Sequence, residues 1–388
     1  MLVPLLFLSF LNPNALRVYE PRIITERYRW TSGPGKVHWP YCGMASRAIK
    51  VQAGFQPGAA CSTQELVEKA QLLETLGFDR IMSAELNHDP FIPLALAAHH
   101  TNRIELGTGI AVAFARNPMT IANAAHDINA YSGGRFRLGL GSQIKPHITR
   151  RFSMPWHGAA KQMREFIEAI RAIWDSWYDG VPLAYNGEFY QYSLMTPEFT
   201  PATDGLARPK ILLAAVGPLM LETAAAVSDG LIAHPFCTER YLTEVILPRI
   251  EPVLEQRQMA LADFEIQFPV FIVTGENEEE FEKSKHAIKQ RIGFYGSTPS
   301  YKPVLDLHGW GDLQPKLRTL TKENGWHKLA DQIDDEVLDT FAVVGDPLHV
   351  ATTIRERFGG VIDSVNLNSA TSPTVLAQQM RILRPDSP

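Results

Sequence analysis

The chain has 388 residues, of which 45% are hydrophobic and 20% charged, a composition typical of a globular protein with a large core and not of a disordered chain. Its 37 basic and 42 acidic residues give a formal charge of −5 without any Lys/Arg block, so nucleic acid is not an expected partner. Three scattered cysteines, Cys42, Cys61 and Cys237, suit neither a disulfide framework nor a zinc site. They are predicted to be free thiols, which indicates a reducing cytoplasm.

Residues 1–44 are predicted to be an extension outside the fold, because they show no sustained helical or strand period. The opening MLVPLLFLSFLNPNA is apolar, but it lacks a basic start and is shorter than the ~20 residues of a membrane-spanning helix. A signal peptide is the alternative, and another is an upstream start with Met44 as the true initiator. We expect no membrane partner, and one domain over residues 45–388.

Short strands, each followed by a helical pattern, alternate from residue 49 to residue 263, which is typical of a parallel α/β sheet. A capping box at Ser62–Glu65 starts the first helix, Gly77 ends it, and an aromatic run at 189–192 indicates a short hairpin. The predicted strands are Ile49–Gly54, Phe78–Ser83, Arg103–Thr108, Arg135–Gly141, Lys210–Val216, Leu231–His234, Phe264–Thr274 and Val361–Leu367.

Eight such strands favour a closed TIM-type (β/α)8 barrel. An open doubly wound sheet is the alternative, but no G-x-G-x-x-G motif follows the first strand. An insertion is expected at about 275–340, between the seventh and eighth strands, and it contains the segment YGSTPSYKPVLDLHGWGDL. Such an insertion usually shapes the rim of an active site.

Barrel active sites lie at the carboxyl ends of the strands, so the residues that follow each strand are the candidates. These are Gly54, Phe55 and Gln56 after the first strand, Glu85, Asn87, His88 and Asp89 after the second, Gly109–Ala111 after the third, Ser142, Gln143 and Lys145 after the fourth, Ala215–Pro218 after the fifth, His234–Phe236 after the sixth, and Asn366 and Asn368 after the eighth.

Two of these turns suggest chemistry. Small residues and exposed helix amides at Ala215–Pro218 favour a phosphate, although a tight turn without a ligand is the alternative. Glu85 and His88 are acid/base candidates, since both would point into the barrel mouth. The alternative is a plain turn with a satisfied histidine, and no metal is expected because no second ligand cluster accompanies them.

No nucleophile elbow, P-loop or H-E-x-x-H motif is present, so catalysis would need a borrowed reactive centre such as a redox cofactor. A cofactorless aldolase or isomerase is disfavoured, because no lysine ends a strand and Lys145 comes a few residues too late.

Over nearly all of residues 48–370 the sequence resembles the luciferase-like monooxygenase superfamily, in particular its coenzyme F420-dependent oxidoreductase branch. The motifs that carry the resemblance are AQLLETLGFDRIMSAELNHDPF, RIELGTGIAVAFARNP, SGGRFRLGLGSQ, PKILLAAVGP, AVSDGLIAHPF, FAVVGDP and GVIDSVNLN.

The resemblance implies a flavin or deazaflavin ring over the mouth, a non-prolyl cis peptide at Gly109–Ile110, phosphate contacts in the turns after the fourth and fifth strands, and a homodimer. The implied cofactor-binding residues are Gly54, Gly109, Ile110, Ala111, Gly141, Ser142, Gln143, Ala215, Val216 and Gly217.

Sugar-phosphate and alcohol dehydrogenases of this branch carry an Asp-His pair after the second strand and a glutamate after the fourth. Here Ala84-Glu85-Leu86 and Gln143-Ile144 stand instead, which argues against those substrates, and Glu85 is expected to take the acidic role. The predicted function is hydride transfer between coenzyme F420 and an unidentified organic substrate. The alternatives are an FMN-dependent monooxygenase and a non-catalytic cofactor-binding protein.

Overall fold

The computed structural model describes residues 48–58, 62–367 and 371–385. The expectations for residues 1–44 and for Cys42, Cys61 and Asn368 lie outside these ranges. Cys237 is a buried free thiol, and burial raises its pKa.

The strands, numbered in chain order, are β1 (Lys50–Gly54), β2 (Arg80–Ser83), β3 (Glu105–Thr108), β4 (Ala111–Val112), β5 (Phe136–Gly141), β6 (Tyr185–Asn186), β7 (Gln191–Tyr192), β8 (Lys210–Ala215), β9 (Gly230–Ala233), β10 (Glu265–Gln267), β11 (Phe271–Val273), β12 (Ala342–Val344) and β13 (Ser364–Asn366).

The α-helices are α1 (Thr63–Thr75), α2 (Phe91–His100), α3 (Pro118–Tyr131), α4 (Ala159–Asp179), α5 (Pro218–Val227), α6 (Glu239–Tyr241), α7 (Leu247–Gln256), α8 (Glu278–Gly296), α9 (Lys302–Leu307), α10 (Leu313–Lys322), α11 (Asp335–Phe341), α12 (Pro347–Phe358) and α13 (Pro373–Leu383).

Eight parallel strands close into a barrel, which confirms the predicted TIM fold. Their order around the barrel is β3, β2, β1, β13, β10, β9, β8 and β5, and β5 pairs back with β3. The short strand β4 continues the path of β3 and also pairs with β5. The predicted hairpin is present as the antiparallel pair β6 and β7.

The predicted seventh strand, Phe264–Thr274, is wrong as a single element. Only β10 belongs to the barrel, whereas β11 leaves it and pairs in parallel with β12. Pro269 lies between the two strands, and the amide of Val270 donates to the carbonyl of Phe268 at 2.9 Å in a tight turn. Proline cannot supply a ladder hydrogen bond, so the strand is broken there although the apolar run of residues continues.

Helices α8 to α11 lie between β11 and β12 along the chain and pack against the loop that follows β9. A Cβ atom on Gly296, at the end of α8, would lie 3.5 Å from the ring of Phe236 in that loop. The ring of Phe236 also stacks on that of Phe341 with centroids 4.5 Å apart. The helices after β11 therefore adjoin the carboxyl end of the barrel.

The amino end of the barrel interior holds a network of charges. The fully buried Arg80 donates to Glu105 and Glu265, each at 2.6 Å, and thereby links β2 with β3 and with β10. Lys50 and Arg137 reach the other carboxylate oxygen of Glu105 at 2.7 and 3.3 Å. Within the described ranges, no helix has the length and apolar character needed to cross a membrane.

Candidate functional site

The turn between β3 and β4 forms one wall of the barrel mouth. The Gly109–Ile110 peptide bond in it is cis, which confirms the sequence expectation. The amide of Gly109 donates to the carbonyl of Ser83 at 2.7 Å, and the amide of Glu85 donates to the carbonyl of Ile110 at 3.0 Å. The loop after β2 therefore holds this turn on both sides of the cis bond.

The carboxylate of Glu85 is buried and committed to the same turn. Its Oε2 accepts a hydrogen bond from the amide of Val112 at 2.7 Å and one from Arg116 at 2.6 Å. Arg116 also donates to Asp89 at 2.7 Å, and the other carboxylate oxygen of Asp89 caps α2 through the amide of Phe91. Glu85 thus joins the loop after β2 to the loop after β4 through an ion-paired network.

His88, the other acid/base candidate, is only half-buried. Within the part of the chain that the structure describes, its side chain makes no hydrogen bond or ion pair, in contrast to Glu85. The same ranges contain no group of three or more His, Cys, Asp or Glu side chains that could hold a metal ion.

Glycines on β5 allow its backbone to lie against the turn after β3. A Cβ atom on Gly141 would lie 2.9 Å from Cδ1 of Ile110, and one on Gly139 would lie 1.9 Å from the carbonyl oxygen of Thr108. Gly54 and Gly217 differ, because a Cβ atom on either would meet none of the described residues within 4 Å. Two of the predicted cofactor contacts therefore border open space.

The predicted phosphate turns lie on the neighbouring strands β5 and β8. Helix α5 starts at Pro218 after Gly217, and no side chain in the described chain caps it. Gln143 has a left-handed backbone with φ 57°, and the hydroxyl of Ser142 donates to its carbonyl at 3.1 Å. A short segment with four exposed basic side chains follows: Lys145, His147, Arg150 and Arg151.

His234 stands on the opposite side of the mouth from Glu85, because β9 and β2 are opposite strands of the eight-membered ring. Its Nε2 lies 3.0 Å from the hydroxyl of Tyr301, and burial lowers the pKa of His234 to about 4. Tyr301 comes from the segment between α8 and α9. Tyr301 does not follow a barrel strand, so the strand ends did not indicate it, although it lies in the segment YGSTPSYKPVLDLHGWGDL of the predicted insertion.

Three amide side chains lie inside the barrel, of which Asn366 was predicted as a candidate after the eighth strand and Gln52 and Gln267 were missed. Gln52 is fully buried, and its Oε1 and Nε2 atoms have no hydrogen-bond partner among the described residues. The same holds for Oε1 of Gln267 and for Oδ1 of Asn366, which is the register partner of Gln52. Gln52 shares the inward face of β1 with Gly54, so these amides lie beneath the mouth.

The closed parallel barrel with its glycine-lined mouth defines a TIM barrel of the luciferase-like type. The sequence profile of the family described as luciferase-like monooxygenase matches residues 48–364, so the chain belongs to this family and is a luciferase-like oxidoreductase.

Three proteins similar to this chain are one relative found by sequence and two solved structures of similar fold. An uncharacterized protein of Mycobacterium tuberculosis is 49% identical over 298 residues, which cover 77% of this chain and 88% of the relative. The coenzyme F420-dependent tetrahydromethanopterin reductase from Methanopyrus kandleri has a similar fold, with a TM-score of 0.70, 19% identity, and coverage of 87% and 98% of the two chains. The oxygenating constituent of 3,6-diketocamphane monooxygenase from Pseudomonas putida, solved with FMN, has a TM-score of 0.60, 16% identity, and coverage of 87% and 99%.

Proposed function

We propose that this protein transfers a hydride between coenzyme F420 and a small organic substrate. The observation that carries the proposal is the glycine-lined mouth, in which Gly54 and Gly217 border open space on either side of the turn at Gly109–Ile110. The family motifs and the F420 dependence of the Methanopyrus kandleri enzyme support the choice of cofactor.

The residues at the mouth fit a flat ring that carries a phosphate. Pro218 has no N–H and the amide of Met220 donates to the carbonyl of Gly217 at 3.1 Å, so the amide of Leu219 is the donor that the first turn of α5 offers an anion. The helix dipole and the basic segment after Gln143 add positive charge. The buried amide of Gln52 would offer a ring bound in the mouth both a donor and an acceptor. Bound coenzyme F420 would supply hydride exchange without oxygen activation.

The protein's own groups then have separable roles. We assign Glu85 to positioning, since its carboxylate holds the amide of Val112 and the guanidinium of Arg116. His88 is the candidate for moving a proton, because it is accessible and makes no other bond in the described chain. A small-molecule substrate and a homodimer belong to the same proposal and are supported by the resemblance.

An FMN-dependent monooxygenase is the second candidate, favoured by the FMN-bound Pseudomonas putida structure of the same fold. Titrating the purified protein with each cofactor, followed by fluorescence or calorimetry, separates the two functions. We expect saturable binding of F420 that is tighter than that of FMN. Tight FMN binding without F420 binding would establish the alternative, and binding of neither would refute both.

The turn before α5 offers a sharper test. Replacing Gly217 with Ala and then with Val adds atoms to open space and suits the extended backbone (φ −83°, ψ 160°) that precedes Pro218. We expect an unchanged melting temperature and a dissociation constant for F420 that rises with side-chain size, by about tenfold for Val, ~1.4 kcal/mol. An unchanged affinity in the Val variant would exclude Gly217 from the cofactor site.

A further inference from the structure

A hydrogen-bond chain links the loop after β9 to the segment between α8 and α9. The backbone amide of Phe236 lies 3.0 Å from Nδ1 of His234 and donates to it. On the other side of the ring, Nε2 lies 3.0 Å from the hydroxyl oxygen of Tyr301. The two rings are also stacked, with centroids 4.5 Å apart and planes inclined by 26°.

The donor and acceptor roles in this series of hydrogen bonds follow from the bond between the amide of Phe236 and Nδ1 of His234. A ring nitrogen that accepts a hydrogen bond carries a lone pair, so Nδ1 has no proton and the proton of neutral His234 is on Nε2. That N–H donates to the hydroxyl oxygen of Tyr301, which acts as an acceptor. The hydroxyl proton of Tyr301 is therefore free to be donated elsewhere.

The pair lies at the carboxyl end of β9, the end of the barrel where the mouth is. Ile232 points into the barrel, since its Cδ1 lies 2.9 Å from the Cβ position of Gly139 on β5, a strand that β8 separates from β9. His234 follows directly after β9 and is two residues beyond Ile232, so continued strand alternation would direct its side chain to the same inward face. It faces the Glu85 loop across the ring of strands and adjoins the turn at Val216–Gly217.

The surroundings keep the pair uncharged at neutral pH. Burial lowers the pKa of His234 to about 4, and burial followed by the neighbouring Tyr295 raises the pKa of Tyr301. Tyr295 packs edge-on against His234 with ring centroids 4.6 Å apart, and Phe236 closes the other side. A neutral donor in an aromatic wall suits a neutral ligand with one polar atom.

We propose that the Tyr301 hydroxyl, oriented by His234, donates a hydrogen bond to a carbonyl-type oxygen of an uncharged organic substrate in the mouth. The binding of the oxygen stands on the residues alone, and the inference rests on the proposed function only for the hydride that bound coenzyme F420 would supply. Tyr301 is thereby a substrate-binding residue contributed by the segment between α8 and α9, and His234 is its positioning residue. If reduced coenzyme F420 gave a hydride to the adjacent carbon, the C=O π bond would break, and this hydrogen bond would stabilise the negative charge that moves onto the oxygen.

The test compares benzaldehyde with toluene, which has the same ring and no carbonyl, as ligands of the full-length protein. Affinities are measured by ligand-observed NMR, with and without saturating F420. We expect Tyr301→Phe to weaken benzaldehyde binding about fivefold to tenfold and to leave toluene unchanged. The matched control Tyr295→Phe removes a hydroxyl from the same aromatic wall and should change neither affinity.

His234 variants test the orientation. His234→Ala should reproduce the effect of Tyr301→Phe, and His234→Gln should restore part of the benzaldehyde affinity, because its amide can still donate to Tyr301. Equal weakening of both ligands in Tyr301→Phe, or no preference for benzaldehyde in the unaltered protein, would overturn the proposal. Failure to bind F420 would refute the proposed function alone, since the comparison also runs without cofactor.

Discussion

At the scale of single residues, Glu85 shows that the position of a residue after a strand does not by itself define its chemical role. Its position after β2 predicts an acidic group beside the ring of the cofactor. The structure gives its Oε2 two donors, the amide of Val112 at 2.7 Å and Arg116 at 2.6 Å. An ionised carboxylate that accepts both is suited to holding backbone in place, because charge-assisted hydrogen bonds of this kind are among the stronger ones.

Substitutions at Glu85 separate positioning from proton transfer. Gln keeps an oxygen acceptor for the amide of Val112, whereas Ala removes it. We expect Glu85→Gln to retain F420 affinity within about threefold and Glu85→Ala to lose about tenfold, ~1.4 kcal/mol, as the turn at Gly109–Ile110 loosens. Fluorescence titration measures both. If the two variants bind F420 as well as the unaltered protein yet turn over equally slowly, Glu85 is a proton-transfer group instead.

At the scale of elements, the glycines of the sequence motifs have two distinct functions. Gly139 on β5 is required for packing, because a Cβ atom there would lie 1.9 Å from the backbone oxygen of Thr108. The packing of the described residues does not require a glycine at position 54, at the end of β1, since a Cβ atom there would meet none of their atoms within 4 Å. A backbone oxygen cannot move aside as a flexible side chain can, so an added methyl group should destabilise the fold at Gly139 and not at Gly54.

Alanine substitution at these two glycines tests the distinction. Gly139→Ala should lower the free energy of unfolding by about 3 kcal/mol, because β3 and β5 must move apart. Gly54→Ala is the matched control and should lose no stability while weakening F420 binding. Urea unfolding and cofactor titration supply the two readouts. Equal stability of the two variants would contradict the packing role of Gly139.

The elements themselves were largely predictable from sequence, because strands and helices carry their own periodicity and some helices also carry a capping side chain. Ser62, for example, accepts from the amide of Glu65 and caps α1 as the capping box indicated. The path of the chain after β10 was not predictable in the same way. A hydrophobic run continues through Pro269 into β11, and only the pairing of β11 with β12 shows that it has left the barrel.

At the scale of the whole molecule, the unpredicted features are contacts between residues far apart in sequence. His234 and Tyr301 are 67 positions apart, and Arg80 and Glu265 are 185 apart. Periodicity and strand ends indicate which residues share a face or an edge, but not which side chains meet across a closed barrel. The candidate turns at the mouth were therefore accessible from sequence, whereas their partners were not.

The charges at the amino end of the barrel make its stability depend on pH. Burial alone would raise the pKa of Glu105, but the charges of Arg80, Arg137 and Lys50 outweigh it and lower the pKa to about 2. The ordinary value of 4.5 applies in the unfolded chain, so the ionised group stabilises the fold above that pH. The stabilisation is then lost as the pH falls from 4.5 towards 2.

Glu105→Gln should therefore be less stable than the unaltered protein by about 3 kcal/mol at pH 7, a value that follows from the pKa shift at ~1.4 kcal/mol per unit. The difference should stay constant down to about pH 5 and shrink below it, because protonation then removes the charge from the unaltered protein as well. Urea unfolding of both proteins from pH 7 to pH 3 measures this difference in the free energy of unfolding.

The control is Glu222→Gln, at an exposed ion pair with Arg249 (2.8 Å), which should lower the free energy of unfolding by no more than about 0.5 kcal/mol. A Glu105→Gln deficit that persists unchanged at pH 3 would mean that the loss comes from packing and not from the charge of Glu105.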